Sequence, residues 1–396
     1  MGTMKKLLMV GLLLIVTLLV KSQKVDTIGA YIIKLDKKIA ATPVKDQYRS
    51  GTCWSFSGLS FIESELIRMG KGEFDLSEMF VVRYVYSEKA ERYVRLHGNL
   101  NFGAGGAFHD VTYVMKKYGI VPEAAYKGLN YGETKHVHME MDEVLKSFVK
   151  AIIKDPNKKL TPVWHKAFNA ILDTYLGRVP DKFTYKGKEY TPKSFLKELG
   201  LNPDDYVEIT SFTHHPFYEK FAIELPDNWL WYNVYNVPLN DLIRIFDNAL
   251  DNGFTVAWAS DVSEDGFLWK QGIAIIPDIQ TQEKTGLELS RWVKMSSNEK
   301  MDYISKNTIK EMNVTQEFRQ KQFDNYKTTD DHGMHIIGYG YDQNGTKFYL
   351  VKNSWALSNA LKGYFYASVE FVKAKTTAIM VHKNAIPKDI RKKLRL

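Results

Sequence analysis

The sequence predicts an α+β fold built in two lobes, and three observations carry the prediction. Hydrophobic residues make up 44% and aromatic residues 13% of 396 residues, helical periodicity runs through much of the first half, and a strand hairpin lies near the C-terminus. That apolar content closes a sizeable core and excludes a disordered chain. The first segment stands apart. Lys5 and Lys6 precede an apolar run of 14 residues, Leu7 to Val20, and Val20-Lys21-Ser22 offers a cleavage position, which is the pattern of a secretory signal peptide over residues 1–22. A bilayer-spanning helix needs about 20 apolar residues. The expectation is therefore an exported protein, periplasmic or secreted, with no membrane contact after the signal is removed. Removal takes away three lysines and no acid, lowering the formal net charge from +8 to +5. The rest of the positive charge is dispersed except in the tail, where Lys388, Arg391, Lys392, Lys393 and Arg395 face only Asp389. A solvated helix face is expected there, and no nucleic-acid partner.

Cys53 is the only cysteine, so the chain forms no internal disulfide. From Trp54 onward Leu59, Ile62 and Leu66 recur at helical spacing, with Ser50 and Gly51 placed to start the helix. Cys53 then sits at a helix N-terminus, where free N–H groups and the positive dipole end favour an anion. A thiol there is expected to lose its proton more easily than a free cysteine. A cysteine simply packed in the first turn is the alternative these residues leave open. Farther on, residues 138–177 read as two helices, residues 183–200 as a small strand pair and a helix, and residues 287–326 as charged and mostly helical. His136, His138, His214 and His215 lack acidic or sulfur companions at ligand spacing, so neither a metal nor a cofactor is expected.

Residues 331–340 (DHGMHIIGYG) and 347–355 (KFYLVKNSW) read as strands joined by a turn over 342–346, with Asn344-Gly345 as the hairpin signal. Centring the turn there leaves His332 and Asn353 three or four residues from direct opposition, so a bulge or a wider loop is needed to bring them together. His335 falls on the face opposite His332.

QYRSGTCWSF (47–56) resembles the stretch around the papain-family nucleophile, with Gln47 six residues before Cys53 and Trp54 directly after it. The two C-terminal strands resemble that family's histidine strand and its N-S-W strand. The resemblance implies a papain-like fold with a helical lobe, a β-barrel-like lobe and a helical insertion. It implies Cys53 as nucleophile, Gln47 and the Cys53 N–H as oxyanion hole, His332 as general base, Asn353 as its orienting partner and Trp355 as the ring shielding that pair. His335 occupies a non-catalytic position. The turn FGAGGAF (102–108) resembles the family's glycine turn, which makes Gly105 and Gly106 substrate-binding residues, with Trp54 and Trp355 beside them. Ser50 stands where many papain-like enzymes have a cysteine. This departure, and the sequence of the insertion, resemble the bleomycin hydrolase and aminopeptidase C branch.

The expected organisation is a signal over 1–22, a helical lobe with the nucleophile over 23–130, an insertion over 131–206 and a β-rich lobe with the tail over 207–396. The branch implies a cysteine peptidase acting on peptides through a thioester, an aminopeptidase first of all, assembled as a homo-oligomer that is hexameric in the family. In that branch a C-terminal arm lies in the cleft and its carboxylate holds the substrate ammonium. Here nine residues follow Pro387 and five are basic. An endopeptidase or dipeptidyl-type peptidase with an open cleft is thus the second expectation, and an inactive papain-like binding protein the third.

Overall fold

The structure is a computed structural model and describes residues 24–154, 159–278 and 295–396. The signal expected at 1–22 and residues 287–294 of the charged segment lie outside them. Among the described residues no helix is long and apolar enough to cross a membrane.

Strands β1 (Val25–Ile28) and β2 (Tyr31–Lys38) form an antiparallel hairpin. Tyr31, Ile33 and Leu35 point inward from β2 at the period of two that a half-buried strand requires. Helices α1 (Cys53–Arg68), α2 (Glu78–Arg95) and α3 (Phe108–Tyr118) follow. Ser77 starts α2 by accepting the Phe80 N–H. The insertion forms α4 (Met139–Ile153), α5 (Trp164–Leu176), the pair β3 (Phe183–Tyr185) and β4 (Lys188–Tyr190), and α6 (Pro192–Leu199). Its buried stripes, Met141, Leu145 and Val149 on α4 and Phe168, Leu172 and Leu176 on α5, share one core with Leu59 of α1 and Phe80 of α2. Each such side chain contributes about 1.5–3 kcal/mol by leaving water. The insertion thus packs into the helical lobe.

The second lobe is one twelve-stranded sheet with helices against it. It adds β5 (Tyr206–Thr210), β6 (Lys220–Ala222), β7 (Asn233–Asn236), α7 (Leu239–Asp251), β8 (Val256–Ser260), β9 (Phe267–Leu268) and β10 (Ile273–Ala274). Then come α8 (Ser297–Lys306), α9 (Gln316–Asp324), β11 (His332–Tyr341), β12 (Lys347–Lys352), β13 (Tyr364–Ser368), α10 (Val369–Lys375), β14 (Thr376–His382) and α11 (Lys388–Lys393). The order is β6-β7-β5-β14-β8-β11-β12-β13-β10-β9, and β2 also pairs with β11. Residues 25–38, expected within the helical lobe over 23–130, therefore hydrogen-bond into the sheet. Main-chain hydrogen bonding to β11 outweighs proximity in sequence.

Strand β11 has neighbours on both edges, since it pairs with β8, β12 and β2. Its register with β12 shifts by one residue between Ile336 and Gly338. This bulge sets His335 opposite Lys352. Continued one step, the register places Asn353 across from Met334, so His332 and Asn353 are diagonal neighbours on one face. Helix α1 lies between the lobes, against α2 and α3 on one side and β8 and β11 on the other. Its first turn presses on β11 at Gly333, where an added Cβ would meet Ser57 Oγ at 2.8 Å and Trp54 Cα at 3.2 Å.

Candidate active site

The loop before α1 is braced by its own side chains. The Ser50 hydroxyl donates to the Gln47 carbonyl at 2.8 Å and shares a 2.6 Å hydrogen bond with Thr52. Thr52 is the N-cap, and its carbonyl takes the N–H groups of Ser55 and Phe56. Cys53 is thus the first helical residue, as the sequence spacing predicts. Trp54 is buried and donates its indole N–H to the Ala104 carbonyl at 3.0 Å, tying the helix start to the glycine turn. Behind that turn the buried Lys89 ammonium donates to the Gly103 and Gly105 carbonyls at 3.0 and 2.5 Å. A Cβ on Gly106 would meet Asp110 Oδ2 at 2.6 Å and Trp54 at 2.8 Å, so only glycine fits.

Three consecutive residues after β12 organise the other wall. Asn353 Oδ1 lies 2.7 Å from His332 Nε2 and accepts the Ser354 N–H at 2.7 Å. A main-chain N–H can only donate, so that atom is the amide oxygen and His332 carries its proton on Nε2. Nδ1 is left as the lone-pair nitrogen of the neutral ring. The Ser354 hydroxyl donates to Gln47 Oε1 at 2.6 Å, and Gln47 Nε2 donates to the Ser50 carbonyl at 2.8 Å. One N–H of that amide remains for a ligand. Trp355 stacks on His332 with ring centres 4.5 Å apart. The sequence reading missed Ser354, whose signal was the middle letter of the N-S-W run.

These pieces converge on a cavity of about 320 Å³ lined by Gln47, Cys53, Trp54, Gly105, Gly106, His332 and Trp355, among others. Asn353 stands behind it, hydrogen-bonded to His332. Four carboxylates also line the cavity, Glu208, Asp227, Asp330 and Asp331, and the sequence reading named none of them.

Charge in this cavity differs from the expectation for a helix-terminal thiol. Burial pushes the Cys53 thiol up to about 11, against the lowering effect of the Gly333 and Trp54 N–H groups, and the Asp330 and Asp227 carboxylates push the same way as burial. The helix terminus does favour the anion, but desolvation wins. Burial likewise lowers His332 to about 4, opposed by the Asn353 hydrogen bond. Burial thus disfavours charge on both groups, although Cys53 is only half-buried by its accessible surface.

The remaining histidines take other parts. His335 is fully buried, with Nδ1 2.9 Å from the Ser60 hydroxyl on α1 and on the face away from His332. His136 and His138 are kept neutral by burial, at about 4 and about 3. His214 and His215 do have an acidic companion, contrary to the sequence reading: Glu224 reaches both Nε2 atoms at 3.0 and 2.9 Å. It comes from beyond β6, ten residues along, a proximity only the fold creates. Gln320 Oε1 accepts the Thr213 N–H, so its Nε2 donates to His214 Nδ1 at 3.0 Å. That fixes the His214 proton on Nε2, facing Glu224, which is the wrong tautomer for a metal at that nitrogen. In the tail, Ile390 and Leu394 are buried beside α7, Arg244 pairs with Asp389, and none of residues 383–396 lines the cavity.

A thiol, an imidazole held by an amide and a glutamine aimed by a serine, all at the junction of a helical and a sheet lobe, define a papain-like cysteine peptidase. The Peptidase C1-like family model matches residues 16–327, and that of the papain family cysteine proteases matches residues 278–383. The chain belongs to the Peptidase C1-like family. It is 22% identical over 388 residues to aminopeptidase C of Lactococcus lactis subsp. lactis (strain IL1403), covering 88% of this chain and 82% of that one. It is also 22% identical over 384 residues to aminopeptidase E of Lactobacillus helveticus, covering 86% and 81%. The crystal structure of pepw from Lactobacillus rhamnosis superposes with a TM-score of 0.68 at 19% identity, covering 91% of this chain and 84% of that one, and shows the same fold.

Proposed function

We propose that the protein is an aminopeptidase that releases residues from free amino termini of peptides through a thioester. The observation that carries the reading is the Gln47–Ser354–Asn353–His332 chain of hydrogen bonds around the cavity of Cys53. The relatives named aminopeptidases supply the choice of amino-terminal substrates. Cys53 passes its proton to His332 Nδ1 as its sulfur attacks the scissile carbonyl, and the resulting oxyanion takes hydrogen bonds from the spare Gln47 N–H and the Cys53 main-chain N–H. His332 then gives the proton to the leaving amine as the C–N bond breaks. Water, deprotonated by His332, attacks the thioester, and the C–S bond breaks to return the thiol. Asn353 holds the ring throughout, and Trp355 covers it.

The test compares a free aminoacyl fluorogenic amide with its N-acetylated form. The free substrate should be cleaved at least about a hundredfold faster, a gap of about 2.7 kcal/mol. Equal cleavage would overturn the amino-terminal preference. Cys53→Ala should lower turnover by about 10⁴-fold or more, and undiminished hydrolysis by that variant would overturn the mechanism.

A further inference from the structure

The residue an aminopeptidase releases carries its α-nitrogen two bonds from the carbonyl carbon that Cys53 attacks. Whatever receives that ammonium must therefore lie in the cavity of Cys53. Among the described residues the cavity wall holds four carboxylates and no lysine or arginine.

Two of the four are already occupied. Glu208 takes the His109 N–H at 2.5 Å and lies 3.0 Å from His109 Nδ1. Asp331 is exposed and takes the Ser263 N–H and the Thr329 hydroxyl. Asp227 and Asp330 differ. Asp227 accepts one amide hydrogen bond from Asn101 at 3.1 Å, and Asp330 accepts the Thr377 hydroxyl at 3.1 Å. Neither has a cation within ion-pair distance among the described residues; the buried Lys89 ammonium behind the glycine turn favours the charge of Asp227 from farther off, and burial outweighs it. Asp227 rests directly on the glycine turn, because a Cβ on Gly105 would come within 1.9 Å of its Oδ2. The two carboxylates are close enough that Asp227 raises Asp330, and both raise the Cys53 thiol. A second cavity of about 350 Å³ meets the first at Leu225, Asp227 and Asp330.

We propose that Asp330 and Asp227 receive the α-ammonium of the substrate, so that residues of the cleft wall select free amino termini. The inference rests on the aminopeptidase reading above and gives it a residue-level basis. It has a catalytic corollary. In the empty cleft the two carboxylates oppose a thiolate at Cys53, and an ammonium bound between them cancels that field. The contact that recognises the substrate then also eases proton transfer from Cys53 to His332, and an acetylated substrate loses both effects.

The experiment measures kcat/KM for the free and N-acetylated aminoacyl amides in wild type, Asp330→Asn and Asp227→Asn. Both replacements keep the side-chain shape and an oxygen that can accept the Thr377 or Asn101 hydrogen bond. In each variant the preference for the free substrate should fall at least about tenfold, as expected on losing a charge-assisted hydrogen bond. Alkylation of Cys53 by iodoacetamide in the absence of substrate should become severalfold faster in Asp330→Asn, which also reports an intact site. A wild type that discriminates, with both variants discriminating equally well, overturns this inference alone. A wild type that cleaves both substrates equally overturns the aminopeptidase reading beneath it.

Discussion

Two groups of buried charge flank α1, and they are built on opposite principles. Between α1 and the start of α2, Lys45 reaches Glu63 at 3.1 Å, Glu78 at 2.6 Å and Asp75 at 2.6 Å, while Thr42 donates to Glu63 at 2.5 Å and Lys352 donates to Thr42 and Ser60. Burial works against the Lys45 charge, yet the three carboxylates hold it well above the usual lysine range. In the cleft, Asp227 and Asp330 have hydrogen bonds but no cation in contact among the described residues, Lys89 acting on Asp227 only from behind the glycine turn, and burial raises Asp330 to about 7. Charge matched within the chain serves the fold. Charge left unmatched beside the nucleophile weighs on the fold and is available to a substrate.

Breaking the matched group has the largest expected effect. Lys45→Met leaves Glu63 and Glu78 buried without their cation and should cost about 3–5 kcal/mol in urea unfolding. A loss under about 1 kcal/mol would mean that Lys45 is not the group holding them. A smaller effect sharpens the same point: Glu78→Gln placed in the Lys45→Met background removes one of the stranded charges and should recover on the order of 1–2 kcal/mol. Additivity of the two single changes would show that they do not share one network.

The smallest effect has the opposite sign and lies in the cleft. The folded carboxyl of Asp330 is raised to about 7 from its ordinary 3.8, with Asp227, Glu208 and Asp331 facing it. Below about pH 4 the group is protonated whether the chain is folded or not, and its raised pKa takes nothing from stability relative to that state. Between about pH 4 and 7 the unfolded chain ionises this group while the folded chain keeps its proton, so stability is lost across that window and the full penalty stands above 7. Asp330→Asn should therefore raise the thermal midpoint at pH 8, by on the order of 1–2 kcal/mol of stability given the solvent in the cleft, and by almost nothing at pH 4. A gain independent of pH would assign the effect to packing.

What could be read in advance follows the range of the forces. The start of α1 at Cys53, the helices of the insertion and the β11–β12 hairpin are written in periodicity and turn residues within a few positions of one another. Gln47, His332 and Asn353 were legible because short motifs carry them. The helix terminus at Cys53 is a local signal that favours the thiolate, whereas the desolvation that opposes it comes from residues packed around it in space and could not be read from the segment. Glu224 beside His214 and His215 escaped notice for the same reason.

By itself the sequence determined where Cys53 sits on its helix, which hairpin brings His332 and Asn353 and which family the chain resembles, since each depends on neighbours along the chain. Only the tertiary structure decided the rest. The bulge at Ile336 that makes His332 and Asn353 neighbours, the use of Ser354 to aim Gln47, and the meeting of Asp227 and Asp330 beside Cys53 all join residues far apart in sequence. Burial and electrostatic fields act through space, and no spacing within one segment encodes them.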